Sequence, residues 1–329
     1  MKKILFLLLF INIYSSNFCQ LIKGFILDRN TKEPINFASV YFNGTFAGTN
    51  TNDKGYFELD GSKFRSMPLS VSALGYYTET LTDYLNLNLF RIYMIPRVFE
   101  LNEINVTDKN LEKARKRNMR LFRAEFLGLT PNAKYCTILN EKDIRFNYYW
   151  DRDTLRAYSR EPILIRNASL GYEIKFYLDE FKIDRRTGNL SFSGNILFKD
   201  DMASDTLLSQ YFHRKRMEAF LGSRMQFFRA LWAKDIKSAG FSVFKEDNVT
   251  PDYEEIVESE DSMMKYLGFD EKLFIYYNNY PFGTIKLLYQ GVPFDRNGYF
   301  DPLGVIWEGD ISSRRIADWL PYEYEFTAY

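Results

Sequence analysis

The chain has 329 residues, with 43 basic and 43 acidic side chains and a formal net charge of zero. This balance does not favour nucleic acid or another polyanion as the main partner, because such partners are bound by a net positive surface. The length predicts about two domains. Aromatic residues make up 18% of the chain, enough for large cores and sheet faces; exposed rings that stack on sugars are the alternative use.

Residues 1–20 have the pattern of a secretory signal, with a basic start and an apolar run over residues 4–13. The run is too short to span a bilayer. We expect cleavage near Cys19 or Gln20 and export to the periplasm, the outer membrane or the medium. Lipidation of Cys19 is the alternative, which Phe18 directly before it disfavours.

Export would decide how many of the two cysteines remain in the mature chain. If Cys19 leaves with the signal, Cys136 is the only thiol of the mature chain, and no internal disulfide can form. Cys136 lies in an apolar strand context, which indicates a small buried hydrophobic residue. Intermolecular pairing and a reactive thiol are the alternatives.

Residues 21–107 show the period-two alternation of short strands separated by turns. Asn43–Gly44 and Asn52–Gly55 supply the turn chemistry. The predicted strands hold Gly24 to Asp28; Ala38, Val40 and Phe42; Phe57 and Leu59; Leu69, Val71 and Ala73; Phe90, Ile92 and Met94; and Ile104 with Val106. Several short strands at close spacing predict a small Ig-like β-sandwich.

The same stretch resembles a known family. It carries G-x-I-x-D-x-x-T-x-E-P-I-x-x-A-x-V from Gly24, then G-T, T-N-D-x-G-x-F-x-L and S-A-L-G-Y. This order resembles the carboxypeptidase regulatory-like domain, a transthyretin-like sandwich, and Leu101 to Val106 is similar to its ending before a TonB-dependent plug. The resemblance implies a Gram-negative envelope protein. The domain is an accessory in true carboxypeptidases, so no catalytic residues are implied.

Residues 108–130 predict an amphipathic helix that links the sandwich to a second domain, because apolar residues recur at helical spacing. Gly128 and Pro131 are expected to end it. Its basic residues are Lys109, Lys113, Arg115, Lys116, Arg117, Arg120 and Arg123. Glu112 and Glu125 interrupt this face, which favours a solvated surface. Contact with anionic lipid or lipopolysaccharide is the alternative.

Residues 131–329 predict an α+β domain of unknown function. Alternating residues between positions 135 and 200 predict an antiparallel meander. They are Ile144, Phe146, Tyr148 and Trp150; Leu170, Tyr172, Ile174, Phe176 and Leu178; and Phe192, Gly194, Ile196 and Phe198. Helical spacing begins near Leu207, with one helix ending at Gly222. A capping box at Ser223 predicts a second helix, which Gly240 would end.

The acidic residues between positions 246 and 262 predict a mobile solvated connector, with a cation site as the alternative. Further strands are expected at Leu273–Tyr277 and Thr284–Tyr289, and a hairpin turn at Asn297–Gly298. Ser312 or Ser313 would cap a last short helix.

Four pieces of this domain resemble the tail of exported chains that begin with the same regulatory-like sandwich. They are Phe126-Leu127-Gly128-x-Thr130, Asn167-x-x-Leu170-Gly171-Tyr172, Tyr299-x-Asp301-Pro302 and Arg315-Ile316-Ala317-Asp318-x-Leu320-Pro321. This resemblance implies no activity and no functional residues.

Most catalytic patterns are missing from the sequence. His213 is the only histidine, whereas the carboxypeptidase zinc site uses two, so zinc carboxypeptidase activity is not expected. No G-x-S-x-G, P-loop, dinucleotide glycine pattern or C-x-x-C occurs. The run from Asp295 to Gly298, with Asp301, indicates a turn. A calcium loop would also need a later bidentate acid, which is missing at the required spacing. We therefore name no catalytic, cofactor-binding or metal-binding residue and expect no cofactor.

These observations favour a non-enzymatic exported envelope protein that docks or binds a protein or glycan partner, with peripheral membrane contact at most. The alternative is a hydrolase acting on envelope or dietary polysaccharide or peptide, since two distant carboxylates leave no local signature. A remnant of a TonB-dependent transporter is a third interpretation, against which the predicted helices argue. The ligand and the oligomeric state do not follow from the sequence.

Overall fold

The computed structural model describes residues 20–84, 89–97, 108–149, 151–202 and 208–327. Within these ranges the chain forms several β-sheets and five α-helices, so the predicted class, mainly β with α, is confirmed. Some predictions lie outside the described residues: those for the signal segment with Cys19, the strand at Ile104 and Val106, Trp150 and Leu207.

The predicted sandwich consists of two sheets whose apolar faces meet. Its strands are β1 (Leu21–Asp28), β2 (Ser39–Phe42), β3 (Gly48–Asn50), β4 (Tyr56–Asp60), β5 (Leu69–Ser72), β6 (Glu79–Leu81) and β7 (Phe90–Met94). One sheet has the order β4-β1-β7 and the other β3-β2-β5-β6. Alternate side chains such as Val40, Phe57 and Leu69 fill the core between them, as the period-two pattern predicts.

Strand β2 is buried on both faces, although the sequence predicts one buried face. Val40 and Phe42 point into the sandwich core. Tyr41 on the opposite face is also fully buried, because its ring stacks on Tyr177 of the second domain at a centroid distance of 5.1 Å. Its hydroxyl shares a hydrogen bond of 2.8 Å with Ser72. The second domain therefore covers this face of the sandwich.

The predicted linking helix is α1 (Asp108–Leu127), and Gly128 follows it with a φ of +101°. Met119, Phe122 and Phe126 on its buried face belong to the core of a six-stranded sheet. The strands are β8 (Cys136–Ile138), β9 (Ile144–Tyr149), β10 (Thr154–Ser159), β11 (Ile163–Asn167), β12 (Tyr172–Asp184) and β13 (Leu190–Asp201).

The six-stranded sheet is antiparallel, as predicted, but its order departs from a simple meander. Strand β13 pairs along one edge of β12, whereas β11 and β10 both pair along the other edge. The order is β8-β11-β12-β10-β9, with β13 on β12. Strand β12 has 13 residues and is long enough for two partners on one edge. Alternation along a strand does not reveal which strand lies beside it.

Helices and two smaller sheets complete the domain. The elements are α2 (Ser209–Phe220), α3 (Arg224–Trp232), β14 (Phe241–Phe244), α4 (Tyr253–Ile256), β15 (Val257–Glu260), β16 (Lys265–Leu267), β17 (Leu273–Tyr277), β18 (Tyr280–Leu287), β19 (Val292–Phe294), β20 (Val305–Glu308) and α5 (Asp310–Ser313). The sheets have the orders β14-β17-β18-β20 and β15-β16-β19. They enclose a separate core that includes Phe228 and Phe294.

Helix α3 begins as predicted and ends earlier. Ser223 Oγ accepts the backbone N–H of Gln226 at 3.0 Å, as expected of an N-cap. The Gln226 side chain does not complete the capping box, because it accepts from the backbone N–H of the residue before Ser223. The helix ends at Trp232 rather than Gly240, since Lys234 adopts a left-handed φ of +58°.

The acidic side chains of segment 246–262 are exposed, as its composition predicts, but the segment forms regular elements and is more than a connector. It contains α4 and β15. Glu255 forms an ion pair with Lys245, and Glu260 pairs with Lys265 at 3.1 Å. These basic partners lie outside the acidic run, so the composition of the run alone does not show that its charges are paired.

The last predicted helix also needs correction. Ser312 and Ser313 lie inside α5 and do not cap the following 3₁₀ turn at Ile316–Asp318. Arg315 is the residue before that turn, and it makes no capping hydrogen bond through its side chain. Over the part of the chain that the structure describes, no helix is both long and apolar enough to cross a bilayer.

The turn after β2 joins the sandwich to the second domain. The backbone N–H of Gly44 donates to the carbonyl of Ile196 at 2.7 Å, and its carbonyl accepts from Tyr322 at 2.9 Å. The N–H of Phe46 donates to Glu323 Oε1 at 2.8 Å. This turn is therefore held between β13 and the segment that follows the 3₁₀ turn.

Candidate functional site

Three of the four sequence pieces meet around Asp318, which is buried. Its carboxylate accepts hydrogen bonds from Thr130 Oγ1 and Asn132 Nδ2, each at 2.8 Å. Asn167 donates to the backbone carbonyl of Ala317 at 2.9 Å. Burial removes water from the carboxyl group of Asp318 and raises its pKa, although the hydrogen bonds from Thr130 and Asn132 act in the opposite direction. We call Thr130, Asn132, Asn167 and Asp318 the polar hub.

The polar hub holds the chain together and does not resemble a reactive centre. Ser169 donates to Asn132 Oδ1 at 2.6 Å, so the hub side chains bind one another. Cys136 is half-buried beside them, with Sγ 3.6 Å from the carbonyl of Asn132. Burial raises the pKa of the Cys136 thiol to about 12, so it stays protonated and is a poor nucleophile at neutral pH.

Asp295 and His213, the other residues that the sequence singles out, also have hydrogen-bond partners. Asp295 is fully buried and accepts from Ser66 Oγ at 2.6 Å and from the N–H of Asn297 at 2.8 Å, which gives a turn, as expected. His213 is half-buried on α2, with Nε2 3.5 Å from Thr327 Oγ1. No group of three or more His, Cys, Asp or Glu within the described ranges could hold a metal ion.

A β-bulge in β12 shapes the surface between the two domains. Leu178 pairs with Gly194, and pairing resumes at Glu180, so the ladder skips Asp179, although Asn195 Nδ2 of β13 donates to its carboxylate at 3.4 Å. Gly194 is required here, because a Cβ atom would lie 2.3 Å from a backbone oxygen of β12. As a result, Asp179 and Glu180 are both exposed.

Arg97 reaches this bulge from the sandwich. Its guanidinium donates to the backbone carbonyls of Leu178 at 3.4 Å and Asp179 at 3.0 Å. The same group lies 5.4 Å from the ring centroid of Tyr77. The backbone N–H of Arg97 donates to the carbonyl of Gly75 at 2.7 Å. Arg97 is thus fixed by both domains and lines a cleft on each side.

We call these two clefts together the Arg97 groove. The smaller cleft has a volume of about 280 Å³; it is lined by Tyr77, Thr78, Thr80 and Arg97 of the sandwich and by Asp179, Glu180 and Asn195. The larger cleft has a volume of about 710 Å³; it is lined by Leu74, Gly75 and Arg97 of the sandwich and by Asp143, Arg145, Tyr158, Arg160 and Glu161. The larger volume lies in the range of small-ligand sites.

The groove combines hydrogen-bond donors, acceptors and aromatic rings. Its donors include Arg97, Arg145 and Arg160, and its acidic acceptors are Asp143, Glu161, Asp179 and Glu180. Arg145 and Tyr158 are directly opposite on β9 and β10, so their side chains stand next to each other on one face. This mixture suits a ligand rich in hydroxyl groups, because each hydroxyl both donates and accepts.

No pattern in the sequence marks the groove residues as a site. Arg97 and Asp179 are 82 positions apart, and no local pattern connects them. The one available signal is Gly194 inside a predicted strand, because a glycine there often marks a bulge.

Comparison with known proteins bears on the sandwich side of the groove. Residues 22–106 match the family model described as CarboxypepD_reg-like domain. These residues form a carboxypeptidase regulatory-like domain. The regulatory-like domain contributes Tyr77 and Arg97 to the groove, and its family suggests a binding or Ig-like module.

The other comparisons add no function. No curated protein matches the chain. Among solved structures, a 9R-lipoxygenase from Cyanothece PCC8801 aligns at 10% identity with a TM-score of 0.18, over 61% of this chain and 45% of that chain. The alignment spans less than half of the lipoxygenase and, at this TM-score, carries no argument about fold or activity.

Proposed function

We propose that the chain is an exported envelope protein that binds a glycan in the Arg97 groove without catalysing a reaction. The observation that carries the proposal is the concave groove, in which Tyr77 and Tyr158 lie among charged donors and acceptors. Sugars fit such a surface, since their hydroxyls match the side chains of arginine and acidic residues and their C–H faces pack on aromatic rings. Export rests on the signal pattern of residues 1–20.

The charges of the groove favour a neutral glycan. Three arginines face four acidic residues across the two clefts, so neither sign dominates. A strongly anionic ligand would meet Asp143, Glu161, Asp179 and Glu180 and be repelled. A protein partner would be favoured by a flat apolar patch, whereas this surface is concave and carries charged side chains along both clefts.

The test is binding to an array of neutral and acidic oligosaccharides by the chain from Gln20 onward. Tyr77→Ala and Tyr158→Ala each remove one ring from the groove. Tyr280→Ala is the matched control, because that ring is 75% exposed and does not line either cleft. We expect neutral glycans to bind and each groove variant to lose about tenfold in affinity, or about 1.4 kcal/mol. Absence of glycan binding, or an equal loss in the control, would contradict the proposal.

A hydrolase is the second candidate, and the bulge in β12 favours it. Asp179 and Glu180 stand side by side in the groove. Although the Asp179 side chain reaches solvent, the atoms packed around it raise its pKa, as a general acid requires. Shortened oligosaccharides after incubation, abolished by Asp179→Asn with binding retained, would establish this function in place of simple binding.

A further inference from the structure

Helix α1 presents a stripe of cations on the side facing away from the core. Lys113, Arg117 and Arg120 recur at i, i+4 and i+7, so they lie on one face within an arc of about 60°. The fully buried Phe122 points about 180° away from Lys113. All three cations are exposed, and none has an acidic partner in the described part of the chain. We call them the cationic stripe.

The neighbouring cations of α1 already form ion pairs or hydrogen bonds within the protein. Lys116 forms an ion pair with Glu112 at 2.6 Å. Arg123 pairs with Glu141, and Arg115 donates to the backbone carbonyls of Ile144 and Glu141. The cationic stripe therefore remains as a local excess of positive charge in a chain whose formal net charge is zero.

We infer that the cationic stripe docks on an anionic membrane surface, with α1 lying along it. Charge complementarity supports this contact, since the cationic stripe extends about 10 Å along one side of the helix axis. Lys113, Lys116, Arg117 and Arg120 on this side are all exposed, so the contact is with lipid headgroups and does not require insertion into the acyl region.

The test is co-sedimentation with vesicles of phosphatidylcholine alone or of equal parts phosphatidylcholine and phosphatidylglycerol. The protein used in this experiment starts at Gln20, so that the apolar run at residues 4–13 is absent and does not insert into the vesicles. The test variant is K113Q/R117Q/R120Q, since glutamine keeps a helix propensity similar to that of lysine and arginine. The control K54Q/R91Q/K237Q removes three exposed cations that are scattered over the surface.

We expect binding to the anionic vesicles only, and its loss at high salt. Each removed charge should weaken partition about fivefold, so the test variant should bind about a hundredfold more weakly while the control changes little. Equal binding to neutral vesicles, an unaffected test variant or an equal loss in the control would overturn the inference. Displacement by inorganic phosphate beyond that by chloride at matched ionic strength would indicate a site for free anions and would also overturn it.

Discussion

Gly44→Ala tests how the turn after β2 is held against the second domain. Gly44 has a φ of +77°, and a Cβ atom there would lie 2.5 Å from Cε2 of Tyr322. The left-handed backbone costs an alanine about 1–2 kcal/mol. Displacement of the Tyr322 ring adds about 1–3 kcal/mol of overpacking. We expect the free energy of unfolding to fall by about 2–5 kcal/mol in total.

Gly188→Ala is the matched control for this substitution. Gly188 has a φ of +75°, and no atom lies within 4 Å of the position that a Cβ atom would take there. It should therefore cost only the backbone contribution of about 1–2 kcal/mol. Urea unfolding, followed by circular dichroism, gives both free energies, and their difference isolates the contact with Tyr322. Equal losses in the two variants would refute the reasoning.

Three substitutions and one labelling reaction test the α1 core, the α3 N-cap, the polar hub and Cys136. Phe122→Ala should cost about 3–5 kcal/mol of unfolding free energy in urea, because the ring is fully buried among other aromatic rings. Ser223→Ala should cost about 1 kcal/mol in the same assay through loss of the α3 N-cap. Burial raises the pKa of Asp318, so its contribution to stability is full below the ordinary carboxyl pKa of about 4 and is lost as pH rises through the folded pKa. Asp318→Asn should therefore remove part of the fall in the urea midpoint as pH rises above the ordinary carboxyl pKa. Cys136 should react with a maleimide only after unfolding, because its pKa is raised to about 12.

Each of these expectations has a contrary result. A Phe122→Ala loss near that of Ser223→Ala would show that the α1 core relaxes around the cavity. An unchanged midpoint in Ser223→Ala would show that water replaces the cap. An identical pH profile for Asp318→Asn, or fast labelling of Cys136 in the folded chain, would contradict the burial assigned to these groups.

The sequence predicts best where a local pattern is tied to one face of one element. The alternation of Phe90, Ile92 and Met94 locates the sandwich core, because a strand repeats every two residues. Gly128 after α1 and Ser223 before α3 mark real helix boundaries, since capping acts within a few residues. These features depend on neighbours in the chain and are visible without the fold.

Features that depend on distant partners could not be predicted. Tyr41 is buried because Tyr177 covers it, and two glutamates of the acidic run pair with lysines outside it. The Arg97 groove needs a bulge in β12 and an arginine 82 positions earlier. The pieces around Asp318 resemble parts of other exported chains, but only the fold shows that they form one hydrogen-bonded cluster.

The turn after β2 also determines when the molecule can reach its final shape. Phe46 and Glu323 are separated by 277 positions, and contacts between such distant residues form late because closing a long loop costs entropy first. During synthesis the sandwich emerges long before the segment that holds its turn. Until the domains dock, the face that carries Tyr41 is open to water, where it is available to chaperones and to aggregation.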